Sequence, residues 1–177
     1  MDSDTIISAL AVADIDAHLA ELGALLNACV HDGASIGFVL PHSAKDSAAF
    51  WADKVRPGVQ AGARLLLVAR RRGAIVGSVQ LDYDTPPNQP HRADVRKLLV
   101  HPAWRRRGIA QALMAELERR AGLLGRNLLT LDTRTGDNAE PLYASLGYRT
   151  VGVIPGFCRD TADAARLDAT TIMYKGL

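Results

Sequence analysis

Apolar residues near the start of the chain recur at helical spacing. Ile15, Leu19, Leu22, Leu25, Leu26 and Val30 fall on one face, and Asp14 can cap the first turn. The pattern fails at His31-Asp32-Gly33, and residues 33–41 (GASIGFVLP) read as a loop. Ser43 or Ser47 can cap a second helix that carries Ala48, Phe50, Trp51 and Val55, with Pro57-Gly58 disturbing its end. The middle of the chain changes period. Residues 64–70 (RLLLVAR) are a short apolar run of the kind a buried strand makes, Arg71-Arg72-Gly73 is a hairpin turn, and residues 74–81 form the returning strand. Residues 84–91 (DTPPNQPH) are a loop on turn chemistry alone, and residues 94–100 are a strand stopped by Pro102. A helix then starts at Arg106 or Gly108. Ile109, Leu113, Leu117 and Ala121 recur every four positions with Leu124 three beyond, and Glu116 and Arg120 pair on the far side. A strand over residues 128–132, a short helix over 139–146 closed by Gly147, and strands over 148–154 and 169–174 complete the chain. This order predicts a mixed α/β (α+β) architecture, a central sheet of about six to seven strands flanked by about four helices.

Composition narrows what such a fold can be. A chain of 177 residues suits one domain spanning residues 1–177, which buries about 70% of its unfolded surface. Apolar residues make up 48% and charged residues 23%, a balance that excludes disorder. No apolar run reaches the ~18 residues of a membrane span. The first residues carry four aspartates and no basic region, so no secretory leader is expected and a cytoplasmic setting is. Lys and Arg exceed Asp and Glu by 2, which gives no general pull toward nucleic acid; the runs 70–72 and 105–107 are arginine triplets without interleaved aromatics. Cys29 and Cys158 match no metal or redox spacing, and His31, His42, His91 and His101 show no ligand spacing, so no metal is expected.

The informative stretch is Leu98-Leu99-Val100-His101-Pro102-Ala103-Trp104-Arg105-Arg106-Arg107-Gly108-Ile109-Ala110. An apolar strand ends, a turn follows and a helix begins. The first turn of a helix offers free N–H groups and the positive end of the helix dipole, so it suits phosphate oxygens. Gly108 lets an anion approach the backbone, and Arg105, Arg106 and Arg107 add charge-assisted hydrogen bonds. No Gly-Lys-Ser/Thr follows, so this is not a P-loop, and G-x-G-x-x-G is absent, so it is not a dinucleotide fingerprint.

These residues resemble the GNAT (Gcn5-related) N-acetyltransferase superfamily. Its Gln/Arg-x-x-Gly-x-Gly/Ala signature is matched by Arg105, Gly108 and Ala110, and a second half-site by Asn138, Tyr143 and Gly147-Tyr148. Arg106 stands where many members have Gly, and Ala110 where many have a second Gly. The resemblance implies the GNAT acyl-CoA N-acyltransferase fold and acetyl-CoA as co-substrate. The pyrophosphate would lie on the N–H groups from Arg105 to Ala110 (Arg106, Arg107, Gly108 and Ile109 included), and the pantetheine along the backbone of Leu98, Leu99 and Val100. The chain is most similar to the tabtoxin-resistance type, on residues 31–38, 93–100, 129–133 and the stretch from Leu146 to Phe157. That likeness implies a small primary amine as acceptor, for example a β-lactam or amino-acid-like antimetabolite, and the wider family resemblance implies pairing into a homodimer.

Acetyl transfer to an amine needs a proton taken from the amine, an oxyanion stabilised and a thiolate protonated. Asp94 and Asp132 are the candidate bases, although each also reads as a strand-end or turn carboxylate. Tyr143 is the candidate acid, because a phenol with pKa near 10 is protonated at pH 7; the bland reading is a core tyrosine. Asn138 reaches the pantetheine or caps the following helix. A backbone N–H near Leu98 to Val100 would meet the oxyanion. Ser35, Phe38 and Asp132 are the expected acceptor contacts, with the loop around Phe157 and Asp160 closing from the other side. Acetylation of a protein terminus or lysine, and a silent acyl-CoA-binding sensor, stand as alternatives.

Overall fold

The computed structural model describes residues 5–177. Its sheet begins where the sequence shows no alternation: β1 (Ile6–Ala9) pairs antiparallel with β2 (Arg64–Arg71). A four-residue edge strand has too few positions to display a period, and its partner lies far along the chain. The first helical pattern divides at His18, whose φ of −115° and ψ of 17° leave the helical region, into α1 (Val12–Ala17) and α2 (Leu19–His31). Ala11, not Asp14, is the N-cap of α1; the Asp14 carboxylate reaches back to accept from the Ala11 N–H at 3.0 Å.

Ser43 caps α3 (Ala44–Phe50). Its hydroxyl accepts from the Asp46 N–H at 3.0 Å, and the Asp46 carboxylate accepts from the Ser43 N–H at 3.1 Å. Ser47 is instead buried and bonded to His42 Nε2 at 2.9 Å. A single π-helical turn (Trp51–Val55) carries α3 into α4 (Arg56–Gln60). Pro57 therefore follows directly on the π-helical turn and does not end the helical run, which continues to Gln60.

The remaining elements are β3 (Ala74–Asp82), β4 (Arg92–Val100), a 3₁₀ turn (Pro102–Trp104), α5 (Ile109–Leu123), β5 (Leu128–Arg134), α6 (Ala139–Ser145), β6 (Arg149–Arg159) and β7 (Leu167–Gly176). The strands lie in the order β1-β2-β3-β4-β5-β7-β6, with β4 and β5 parallel and every other neighbouring pair antiparallel. The expected mixed sheet is what the chain builds; the described residues form six α-helices where about four were expected, because the first helical pattern divides at His18 and the second is interrupted by the π-helical turn. No helix among the described residues is long and apolar enough to cross a membrane.

Two cores explain the unbroken apolar run in β2. Leu66 and Val68 face one side, with Ile15, Leu22, Leu25, Leu26, Trp51 and Val55 of the first helices. Leu67 and Ala69 face the other, with Ile109, Leu113, Met114 and Leu117 of α5. A strand covered on both faces has no polar alternation to show.

β4 breaks this regularity. Leu99 pairs with Ser78 and Arg96 with Gln80, so Lys97 and Leu98 together stand opposite Val79, and Lys97 takes a φ of +52°. This is a β-bulge. The extra residue reverses the in–out alternation: Val95, Leu98 and Val100 pack toward the α5 core while Leu99 enters the other.

Close contact between α5 and the sheet depends on Gly77. A Cβ placed there would lie 2.9 Å from the Leu99 carbonyl oxygen and 3.1 Å from side-chain carbons of both Ile109 and Leu113. Gly77→Ala is expected to destabilise the protein by about 1–3 kcal/mol through overpacking, measured by chemical denaturation.

Candidate active site

β4 and β5 pair over three positions only: Arg92 with Leu128, Ala93 with Leu129 and Asp94 with Thr130. Beyond Asp94 the two strands part, and the bulge lies on the departing strand. A cleft of about 580 Å³ opens between them. Its walls come from the loop after α2 (Ala34, Ser35, Ile36 and Gly37), from β4 between Asp94 and Leu98, from β5 between Thr130 and Arg134, and from Tyr143, Phe157 and Cys158.

Of the residues expected at the site, Ser35, Asp94, Leu98, Asp132 and Tyr143 line this one cleft. Phe38 stands behind the wall, 5.2 Å edge-on to Phe50 and 4.7 Å from the His42 ring. Phe157 lies on β6 and not on a loop. Asn138 precedes α6 at the N-cap position, but its side chain makes no capping bond; the Gly136 N–H is taken by Glu140 at 2.8 Å.

The two candidate carboxylates have different surroundings. Asp94 accepts from Arg92 Nη1 at 2.5 Å and from the Thr130 hydroxyl, and Arg96 lies 3.7 Å away. Asp132, exposed to the cleft, accepts from the Thr170 hydroxyl at 3.0 Å and has no cation within ion-pair distance among the described residues. Tyr143 is 6% exposed and rests 5.6 Å from the Tyr148 ring. Burial first, and the negative charge of Asp132 second, raise its phenol above the ordinary tyrosine value.

The turn from β4 into α5 lies at the end of the same strand. Arg106 has a φ of +58° and Gly108, the N-cap of α5, a φ of +75°. Arg106 thus adopts the backbone region that glycine enters freely, at the position where the family often has glycine. The first-turn N–H groups of α5 have no intrahelical acceptor. Arg105 donates to the Val100 carbonyl at 3.3 Å and is paired with Asp32 at the end of α2. Arg107 and Arg71 both lie over the Trp104 ring, their guanidinium carbons 4.9 and 5.4 Å from its centroid. Cys29, behind this turn, is buried; desolvation pushes its thiol up to about 11, so it stays protonated.

Three residues of the cleft carried no mark in the sequence. Arg134 donates to Asp137 at 3.2 Å, to Asp160 at 3.2 Å and to the Gly33 carbonyl at 3.2 Å, tying β5 to the loop after α2. Lys97 donates to the Ile36 carbonyl at 2.6 Å from the opposite wall. Cys158 Sγ lies 3.7 Å from the Ser35 hydroxyl.

Comparison with known proteins agrees with this geometry. A family model described as an acetyltransferase (GNAT) domain matches residues 62–150, half of the chain, from β2 through the turn and α5 to the start of β6. Curated acetyltransferases of Pectobacterium atrosepticum and Yersinia enterocolitica are 41% and 40% identical over 91 residues, 51% of this chain and 61% of theirs. The match spans less than two thirds of those relatives' length. Among solved structures, yncA of Salmonella typhimurium with its cofactor acetyl-CoA superposes with a TM-score of 0.77 at 19% identity, covering 99% of this chain and 95% of that one. A Gcn5-related N-acetyltransferase from Kribbella flavida gives 0.78 at 19% identity with both chains fully covered. At such identities these likenesses speak to the fold. With the family model spanning both the parted strands and the arginine-flanked turn, the chain belongs to the GNAT acetyltransferase family.

Proposed function

We propose that this protein is an N-acetyltransferase that carries the acetyl group of acetyl-CoA to the primary amine of a small molecule, by direct attack in a ternary complex. One observation carries the reading: the gap between β4 and β5 brings an ion-pair-free carboxylate, Asp132, and a protonated phenol, Tyr143, to one cleft beside unpaired strand backbone.

The residues present suit acetyl-CoA. The edge of Leu98, Leu99 and Val100 that β5 leaves uncovered suits an extended amide arm such as pantetheine, the Val100 carbonyl being shared with Arg105. The first-turn amides of α5, with Arg105, Arg106, Arg107, Gly108, Ile109 and Ala110, form a cradle for a pyrophosphate. Asn138, relieved of capping, is available to the arm. When bound, acetyl-CoA supplies an activated acyl group. Asp132 receives the acceptor's ammonium and takes its proton, directly or through a water. Asp94, neutralised by Arg92 and Arg96, is the less available base and orders the start of the cleft. Backbone N–H groups at the bulge meet the oxyanion. Tyr143 returns a proton to the departing thiolate. Ser35 faces the acceptor from the loop after α2. Likeness to the tabtoxin-resistance type supports a small acceptor within this reading.

The test is a screen of amines, amino acids and short peptides with acetyl-CoA and purified protein, reading free thiol. Turnover of small amines supports the proposal, turnover of peptides alone replaces it with protein acetylation, and acetyl-CoA binding without any turnover leaves a sensor. Tyr143→Phe should lower kcat about 10²-fold while coenzyme A affinity, read by calorimetry, stays unchanged. Because the phenol is raised above its ordinary value, the loss of activity caused by its ionisation should fall above pH ~10. Asp132→Asn should lower kcat/KM for the amine about 10²-fold or more, with the deficit largest near neutral pH, where the amine must be deprotonated.

A further inference from the structure

Charge matching inside the cleft leaves two groups over. Three cations line it, Arg96, Lys97 and Arg134, and three carboxylates, Asp94, Asp132 and Asp137. Asp94 lies between Arg92 at 2.5 Å and Arg96 at 3.7 Å, and Arg96 also reaches Asp82 at 3.4 Å. Arg134 is matched by Asp137 and Asp160 at 3.2 Å and by Asp168 at 3.5 Å. Lys97 and Asp132 remain. Neither has an oppositely charged group within ion-pair distance among the described residues, although the Asp132 charge is near enough to act on Lys97.

Lys97 is half-buried. The bulge and its φ of +52° turn the side chain into the gap, where one N–H donates to the Ile36 carbonyl at 2.6 Å. The Phe38 and Phe50 rings lie 5.7 and 5.8 Å from the ammonium and supply partial, undirected compensation. Among the described residues, two of its three N–H donors have no hydrogen-bond acceptor. Desolvation lowers its pKa, a cost that an arriving anion would remove.

We propose that Lys97 is the anchor for an anionic group of the acceptor, a carboxylate, and that the acceptor is therefore a zwitterion: an amine received by Asp132 and a carboxylate received by Lys97, as in an α-amino acid. This rests on the acetyl-transfer reading and narrows its substrate class. A zwitterion satisfies both leftover charges at once, whereas a plain amine satisfies Asp132 and leaves Lys97 as it was. In the unliganded protein Lys97 holds the loop at Ile36, so the same side chain that recognises the carboxylate also sets the wall beside Ser35.

The experiment uses two independent readouts. The first is turnover with matched pairs, an amino acid against its decarboxylated amine: lysine and cadaverine, histidine and histamine, methionine and 3-(methylthio)propylamine, tryptophan and tryptamine. The second is calorimetric binding to the coenzyme A-saturated protein of N-acetyl-amino acids against the corresponding amides, which needs no turnover. The carboxylate member is expected to be preferred at least 10-fold in both. Lys97→Met should erase that preference by raising KM for the acid-bearing partner at least 10-fold more than for the decarboxylated amine, and Lys97→Arg should restore part of it. If Lys97 serves the loop alone, Lys97→Met shifts both members equally and lowers the unfolding midpoint, and the proposal fails. It fails as well if amides bind as tightly as acids. Absence of thiol release with every amine, while N-acetyl acids still bind in preference to amides, overturns acetyl transfer but retains the anion site.

Discussion

The site depends on where two parallel strands stop pairing. β4 and β5 share three positions and then separate, and a bulge on β4 falls within the separated part. Ending a ladder early exposes backbone donors and acceptors that need partners. In a closed sheet interior such a gap would be a defect. Here it opens onto a cleft, so the unpaired groups are available to solvent or to an extended ligand. The same bulge reverses the strand's alternation, keeps Leu98 and Val100 in the α5 core, and sends Lys97 toward the loop after α2.

Around this gap the charged residues form a frame. Arg64, Asp82, Arg96, Asp94 and Arg92 follow one another as an ion-pair chain along β2, β3 and β4. Arg134, Asp160, Asp168 and Arg166 form a second chain where β5 faces the β6–β7 hairpin. Pairs of this kind contribute modest net stability against their desolvation, but breaking one leaves a charge stranded, so they define position strongly. Arg134 extends the frame to Gly33, Lys97 to Ile36, and the Thr161 hydroxyl to the Ala34 carbonyl at 2.9 Å. This loop, which lacks secondary structure, is in this way held by β4, by β5 and by the loop after β6.

The sequence made the periodic parts of this molecule readable. α5 follows its four-residue recurrence, with Glu116 bonded at 2.7 Å to Arg120 and also at 2.7 Å to Arg119. The turn at Arg105 to Ala110 was legible because strand, glycine and helix occur in a fixed order. β1 was not, being short and paired with residues far along the chain. The break at His18 has no proline or glycine to announce it. The bulge left no mark either, because inserting one residue into a strand changes which side its neighbours face without changing their character. Asp94 and Asp132 were equivalent on paper, both acids at strand positions; the arginines that neutralise one of them come from neighbouring positions whose direction only the register reveals.

The outermost strand, β6, displays Val151, Val153, Ile154 and Phe157 to solvent, 45% to 67% exposed. An uncovered strand of that composition is the usual template for runaway polymerisation. Its register against β7 slips between Thr150 and Gly152 and again between Ile154 and Cys158, where Pro155 contributes no amide hydrogen. The rim is therefore greasy but irregular: a neighbour could stick to it, yet could not copy its rhythm into a growing fibril.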